Sequence, residues 1–201
     1  MKIGPKYKIA RRVGAPIFEK TQTQKYALRS ERRGKSKFRK PQSEFGFQLN
    51  EKQKARLVYG LSERQFSNYV KDALAKKSTQ ATQRIFESLE SRLDNVIYRI
   101  GFSPTRLGAK QMVSHGHITV NGKRVTTPSM KVNLNDVIKI REGSANKGLF
   151  NTLDERMKAV SVPSWIDLDS QKREAKIQGK PQLNKTENMF DLNAVVEFYS
   201  R

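Results

Sequence analysis

The chain has 201 residues, with 40 Lys and Arg against 19 Asp and Glu, for a formal net charge of +21. That balance excludes the ordinary neutral or acidic enzyme and points to a polyanionic partner, and a hydrophobic content of 36% leaves room only for small, interrupted cores. The absence of Cys removes disulfides, thiolate metal sites and cysteine nucleophiles together, and no run approaches the ~18 continuous apolar residues of a membrane span. A start with Lys2, Pro5 and Lys6 has no apolar core of a secretory signal, so the expected compartment is the one of synthesis, the cytoplasm.

Residues 1–40 carry 14 Lys and Arg, among them Arg11, Arg12, Arg32, Arg33 and Lys35, against only Glu19 and Glu31. Like charges at this density repel, and apolar residues are sparse, which predicts a basic, extended N-terminal arm over 1–44 that orders on a polyanion. Ile3, Ile9, Val13, Ile17 and Phe18 are too scattered, and Gly14 and Pro16 too disruptive, to form the apolar helical face a membrane surface requires. Nucleic acid is therefore the expected partner of the arm.

A helical domain is predicted over 45–90. A short helix spans Asn50 to Tyr59 and stops at Gly60; Ser62 and Gln65 then stand at capping-box spacing ahead of Phe66, Tyr69, Val70, Ala73 and Leu74. A further amphipathic run carries Ile85, Phe86 and Leu89. Leu93, Val96, Ile97 and Ile100 recur at helical spacing, with Ser91 and Asp94 as a capping pair and Arg92, Asn95 and Arg99 on the opposite face. After Gly101, Ser103 and Pro104 predict the cap and first turn of a second helix that buries Ala109, Met112 and Val113 and projects Arg106 and Lys110 together toward Ser114 and His115. His117 to Val120 reads as a strand, Asn121-Gly122 as a tight hairpin turn, and Lys123, Arg124 and Val125 as the return. Another strand is predicted over Asp136 to Arg141, then a helix carrying Leu149, Leu153, Met157 and Val160, and an extended segment with Pro163, Trp165, Ile166 and Leu168. Trp165 is expected to pack against the domain rather than stack on a base.

Helices and a hairpin that each present cations can follow a phosphate backbone. The run His115-Gly116-His117 supplies at most two ligands, so no metal or other cofactor is expected. Ser114 beside His115 lacks the spatial separation of a catalytic triad, and no phosphate loop, zinc-protease helix or nucleophile elbow occurs. No catalytic residue is assigned.

S-R-L-D-N-V-I-Y-R-I-G-F (Ser91 to Phe102), Thr105-Arg106, Q-M-V-S-H (Gln111 to His115) and I-T-V-N-G (Ile118 to Gly122) closely resemble the S4 RNA-binding domain. F-G-F-Q-L-N-E-K-Q-K-A-R-L-V-Y-G (Phe45 to Gly60), E-R-Q-F-S-N-Y (Glu63 to Tyr69) and the terminal V-V-E-F-Y-S-R (Val195 to Arg201) resemble the bacterial-type small-subunit ribosomal protein S4 family over essentially the whole chain. The resemblance implies an α+β protein in which a helical domain holds an inserted helix-helix-hairpin module at 91–155, followed by a C-terminal extended segment and terminal strand at 156–201. It implies direct binding of small-subunit ribosomal RNA, nucleation of the subunit body, a contribution to translational accuracy, and contacts with neighbouring small-subunit proteins, protein five among them. No membrane or small-molecule substrate is implied. Many members hold zinc on four arm cysteines; this sequence has no Cys, so the metal does not carry over. By matching motif, Arg92, Arg99, Arg106, Lys110, Ser114, His115 and Lys123 would face RNA. Two other readings use the same module: an RNA-modifying enzyme of the pseudouridine synthase kind, which would need a separate catalytic domain, and a free-standing ribosome-associated factor, which would not need both the matched helical region before the module and the matched terminal strand.

Overall fold

The computed structural model describes residues 3–32, 43–75, 80–145, 147–184 and 189–201. It divides into two compact units, one formed by Met1–Ile85 with Asn184–Arg201 and the other by Phe86–Leu183.

The first unit is helical. Helix α1 (Lys6–Val13) ends at Gly14, whose φ of 71° is the left-handed conformation that closes a helix. A short helical turn at Glu19–Thr21 leads into α2 (Gln24–Arg32). The extended arm expected here is replaced, over 3–32, by folded structure. Ala10, Val13, Ile17 and Phe18 converge with Leu57 into a small buried cluster, flanked by Ile3, Ile9 and Tyr26. Asn50 fixes the chain reversal by donating its Nδ2 to the Val13 carbonyl at 3.0 Å. Gly14, read from sequence as an interruption, is the device that lets Ile17 and Phe18 fold back, while Lys8, Arg11, Arg12 and Lys20 stay in water and Lys6 Nζ lies 5.6 Å from the Phe18 ring centre.

Helix α3 (Glu44–Val58) begins earlier than its apolar spacing suggested, because Ser43 caps it by accepting from Gly46 N at 3.2 Å. Helix α4 (Glu63–Ala75) follows, and Ser62 accepts from Gln65 N at 3.3 Å as its spacing predicted. The expected terminal strand is instead a helix, running over Leu192–Tyr199 and capped by Asp191, whose carboxylate accepts from Asn193 N at 2.8 Å. Leu192 and Val195 are buried three positions apart, the helical period. This terminal helix packs on α3, where Glu51 accepts from the Asp191 backbone N at 2.9 Å and Lys52 Nζ sits 4.4 Å from the Phe198 ring centre.

Helix α5 (Ala81–Glu90) carries the chain into the second unit, where α6 (Leu93–Arg99) and α7 (Arg106–Ser114) pack together. Strands β1 (Ile118–Val120), β2 (Lys123–Val125), β3 (Val137–Ile140), β4 (Ile166–Asp169) and β5 (Glu174–Ile177) form one sheet in the order β2-β1-β3-β5-β4, antiparallel throughout. The hairpin turn is the one its residues require, with Asn121 at φ 51° and Gly122 at φ 76°. Helix α8 (Leu153–Ala159) precedes β4. Leu93, Val96, Ile97, Met112, Val113, Ile118 and Ile138 share a single core with Phe150, Leu153, Met157, Trp165, Ile166 and Ala175. The boundary expected at 155 therefore has no physical counterpart: β5, unanticipated in the sequence, pairs Ala175 with Ile138 and extends the module's own sheet. Trp165 packs in this core.

Candidate nucleic-acid interface

The α6–α7 pair brings Arg92, Arg99, Arg106 and Lys110 to one region, Lys123 lies apart on the hairpin strand β2, and buried polar groups decide how each of the four is used. Helix α6 starts without the expected Ser91–Asp94 capping box. Its first donors, Leu93 N and Asp94 N, bond instead to the carbonyls of Met130 and Pro128 at 2.9 and 3.0 Å. The Asp94 carboxylate is thereby left for cations. Arg92 Nε and Nη2 donate to its two oxygens at 3.0 and 2.7 Å, and Arg92, 2% exposed, is an internal strut rather than the surface contact expected from its motif. One turn along α7, Lys110 Nζ lies 3.9 Å from the same carboxylate. Burial lowers the Lys110 pKa, Asp94 opposes that shift, and Arg92 adds to it.

A second buried carboxylate organises the neighbouring cations. Glu90, 1% exposed, accepts Arg99 Nε and Nη2 at 2.8 and 2.9 Å and Asn95 Nδ2 at 2.9 Å. With its amide turned this way, Asn95 presents Oδ1 to Arg106 Nε at 2.7 Å. The Arg106 guanidinium then lies 4.2 Å above the Tyr98 ring centre, within cation–π range. Helix α7 itself is capped by Thr105, which accepts from Gly108 N at 2.9 Å; Ser103, expected in that role, donates its Oγ to the Thr105 carbonyl at 3.0 Å.

The far end of α7 faces water. Ser114 and His115 are exposed, as are Lys123 and Arg124 on the hairpin. Ser114 Oγ donates to the Lys110 carbonyl at 2.9 Å, a helix-surface bond with no sign of nucleophilic activation. Arg124 Nη2 donates to the His115 carbonyl at 3.4 Å, crossing Gly116, where any Cβ would overlap the Arg124 guanidinium. Arg124 is a candidate that motif matching missed, although its place beside Lys123 just after Asn121-Gly122 puts it in a three-residue strand whose faces alternate. His117, by contrast, is buried. Its Nδ1 lies 3.0 Å from Ser144 Oγ and its ring meets Phe150 edge-on. Burial holds the His117 pKa below 6.5, and Lys147, His115, Arg141 and Arg124 push in the same direction. Among the described residues no group of three or more His, Cys, Asp and Glu could hold a metal ion.

In the first unit Arg11 and Arg12 are exposed on α1, and Arg32 is exposed at the end of α2. Arg33 and Lys35 lie outside the described residues. The sequence-derived set thus separates into half-buried or internal members held by Asn95, Asp94 and Glu90, and exposed members on α1, α2, the end of α7 and the hairpin. Cations already fixed by such partners can bind phosphate with little further loss of side-chain freedom.

Comparison with known proteins adds two family matches. The description "Ribosomal protein S4/S9 N-terminal domain" fits residues 1–90 and "S4 domain" fits residues 91–138. Small ribosomal subunit protein uS4 of Acinetobacter baylyi is 38% identical over 204 aligned residues, covering 99% of this chain and 98% of that protein. The uS4 proteins of two Acinetobacter baumannii strains are 37% identical over 205 aligned residues, with the same coverage.

Proposed function

The chain belongs to the small-subunit ribosomal protein S4 family, and from this premise we propose how it engages its RNA. It is a structural ribosomal protein that binds small-subunit ribosomal RNA. In our reading Arg106, Lys110, His115, Lys123 and Arg124 of the module take the phosphate backbone, and Arg11, Arg12 and Arg32 of the first unit take a second stretch. The observation that carries this is the pre-set Arg106 guanidinium, held at 2.7 Å by Asn95 and laid on Tyr98. Arg92 and Arg99 serve the same surface indirectly, as counter-charges to Asp94 and Glu90. Arg33 and Lys35 extend the basic stretch of the first unit in this proposal by their charge.

The family resemblance further supports an early role in building the body of the bacterial-type subunit, an influence on translational accuracy, and contacts with neighbouring proteins including protein five. The enzyme alternative is not favoured, because the matched families account for residues 1–138 and the remainder up to Ile177 completes the sheet of the same module.

Titration of the protein against small-subunit ribosomal RNA over a range of salt tests the proposal. With ~6 to 10 phosphate contacts, log affinity should fall against log salt with a slope of about −5 to −8. Replacing Arg106, Lys110 and Lys123 together by Ala should make the slope shallower by ~2, with helical content unchanged because none of the three belongs to the apolar core. A triple variant with wild-type affinity and slope would place the binding face elsewhere.

A further inference from the structure

The basic first unit contains an aromatic arrangement that phosphate binding does not use. Tyr7 of α1 and Tyr26 of α2 stack, with ring centres 5.7 Å apart and planes inclined by 23°. Tyr26 is partly buried and leans on the small core of Ala10, Val13, Ile17 and Phe18, so the pair is anchored from the Tyr26 side. Tyr7 is 50% exposed. A ring stacked off-centre on an anchored neighbour and half exposed to water keeps aromatic surface open to the outside.

The surroundings decide what that face suits. Lys8 and Arg11 flank Tyr7 on α1, Lys25 and Arg29 flank Tyr26 on α2, and all four are exposed. Arg11 is drawn toward Tyr7, donating its Nε to the Tyr7 carbonyl at 3.2 Å. Cations around an open aromatic face match a nucleotide, whose base stacks while its phosphates meet the positive rim. An apolar protein segment would need an apolar or uncharged rim, whereas the four residues named here are all cations.

We propose that Tyr7, backed by Tyr26, is a stacking platform for an unpaired base of the bound ribosomal RNA, a site separate from the phosphate contacts. It rests on the reading that this chain binds small-subunit RNA. A stacked base adds affinity without releasing counterions, so its contribution is independent of salt, unlike that of Arg11 beside it.

The test is a salt titration of full-length Tyr7→Leu, Tyr7→Phe and Arg11→Ala chains on small-subunit ribosomal RNA, beside wild type. Leu keeps an apolar contact on Tyr26 but has no aromatic face. Tyr7→Leu is expected to bind about 5- to 150-fold more weakly at every salt concentration, with an unchanged slope. Tyr7→Phe should restore wild-type binding, which a loss of helix α1 could not explain, and Arg11→Ala should make the slope shallower by about 1. Wild-type affinity in Tyr7→Leu would overturn the platform and leave Tyr7 as a helix-to-helix contact or a seat for protein. Equal weakening in Tyr7→Leu and Tyr7→Phe would overturn it too, since the aromatic face would then not be the cause. Failure of the wild-type chain to bind the RNA would instead refute the RNA-binding reading itself.

Discussion

Replacing Glu90 by Gln is the most direct probe of the polar network beneath the binding surface. Glu90 is 1% exposed and accepts three side-chain bonds, from Arg99 at 2.8 and 2.9 Å and from Asn95 at 2.9 Å. Gln preserves the shape but presents an NH2 group to donors on one side and removes the negative charge that the Arg99 guanidinium pairs with. Removing one member of a fully buried pair costs roughly 3 to 5 kcal/mol. The Arg99 side chain is 32% exposed and regains some hydration, so the low end of that range, about 3 kcal/mol, is expected. The chain's one tryptophan, Trp165, lies in the core of the same unit, so its fluorescence follows the unfolding of this unit in urea. With a dependence of ~1 to 2 kcal/mol per M urea, the midpoint should fall by roughly 1.5 to 3 M. A cycle with Arg99→Met isolates the pair: once Arg99 is neutral, Glu90→Gln should cost far less, giving a coupling of about 2 kcal/mol. An unchanged midpoint in Glu90→Gln, or additive losses in the cycle, would refute the claim that this carboxylate holds the network, and with it the indirect fixing of Arg106 through Asn95.

The His117 pKa is held below 6.5 in the fold, chiefly by burial. The unfolded chain therefore binds this proton first, so its contribution is fully present above about pH 6.5 and is lost as pH falls through the lower folded value; Trp165 urea midpoints should decline from pH 7 to 5, and His117→Gln should flatten that decline. Gly116 and Gly122 have φ of 69° and 76°, and either changed to Ala should cost about 1 to 2 kcal/mol of stability. Only Gly116→Ala displaces the Arg124 guanidinium, so it should also weaken RNA binding, and equal RNA affinity in the two variants would remove Arg124 from the interface. Asp191→Ala deletes the 2.8 Å cap of the terminal helix and should cost about 1 kcal/mol in thermal unfolding followed by circular dichroism. Chelator treatment should leave fold and RNA binding intact, and stoichiometric metal found by elemental analysis would contradict that expectation.

Local periodicity and punctuation made much of this chain legible. Leu93, Val96, Ile97 and Ile100 can share a face only as a helix, and Asn121-Gly122 adopts the two positive φ values that close a two-residue hairpin. Those are properties of neighbours in sequence, and the motifs resembling the S4 family ride on them. The fate of each cation was not local. Arg92 and Arg106 are both arginines on predicted polar positions, yet one is buried on Asp94 and the other rests half-buried on Asn95 and Tyr98. That difference arises because the 128–132 segment supplies carbonyls to the start of α6 and frees Asp94 to bind cations. The same holds for the ends of the chain. Val195 to Arg201 fits a strand or a helix by composition, and packing on α3 with the Asp191 cap selected the helix. Residues 3–32 lack enough apolar side chains for a core of their own, and Leu57 from α3 completes it. Burial is a property of which segments meet, and a single segment's sequence carries only its half of that meeting.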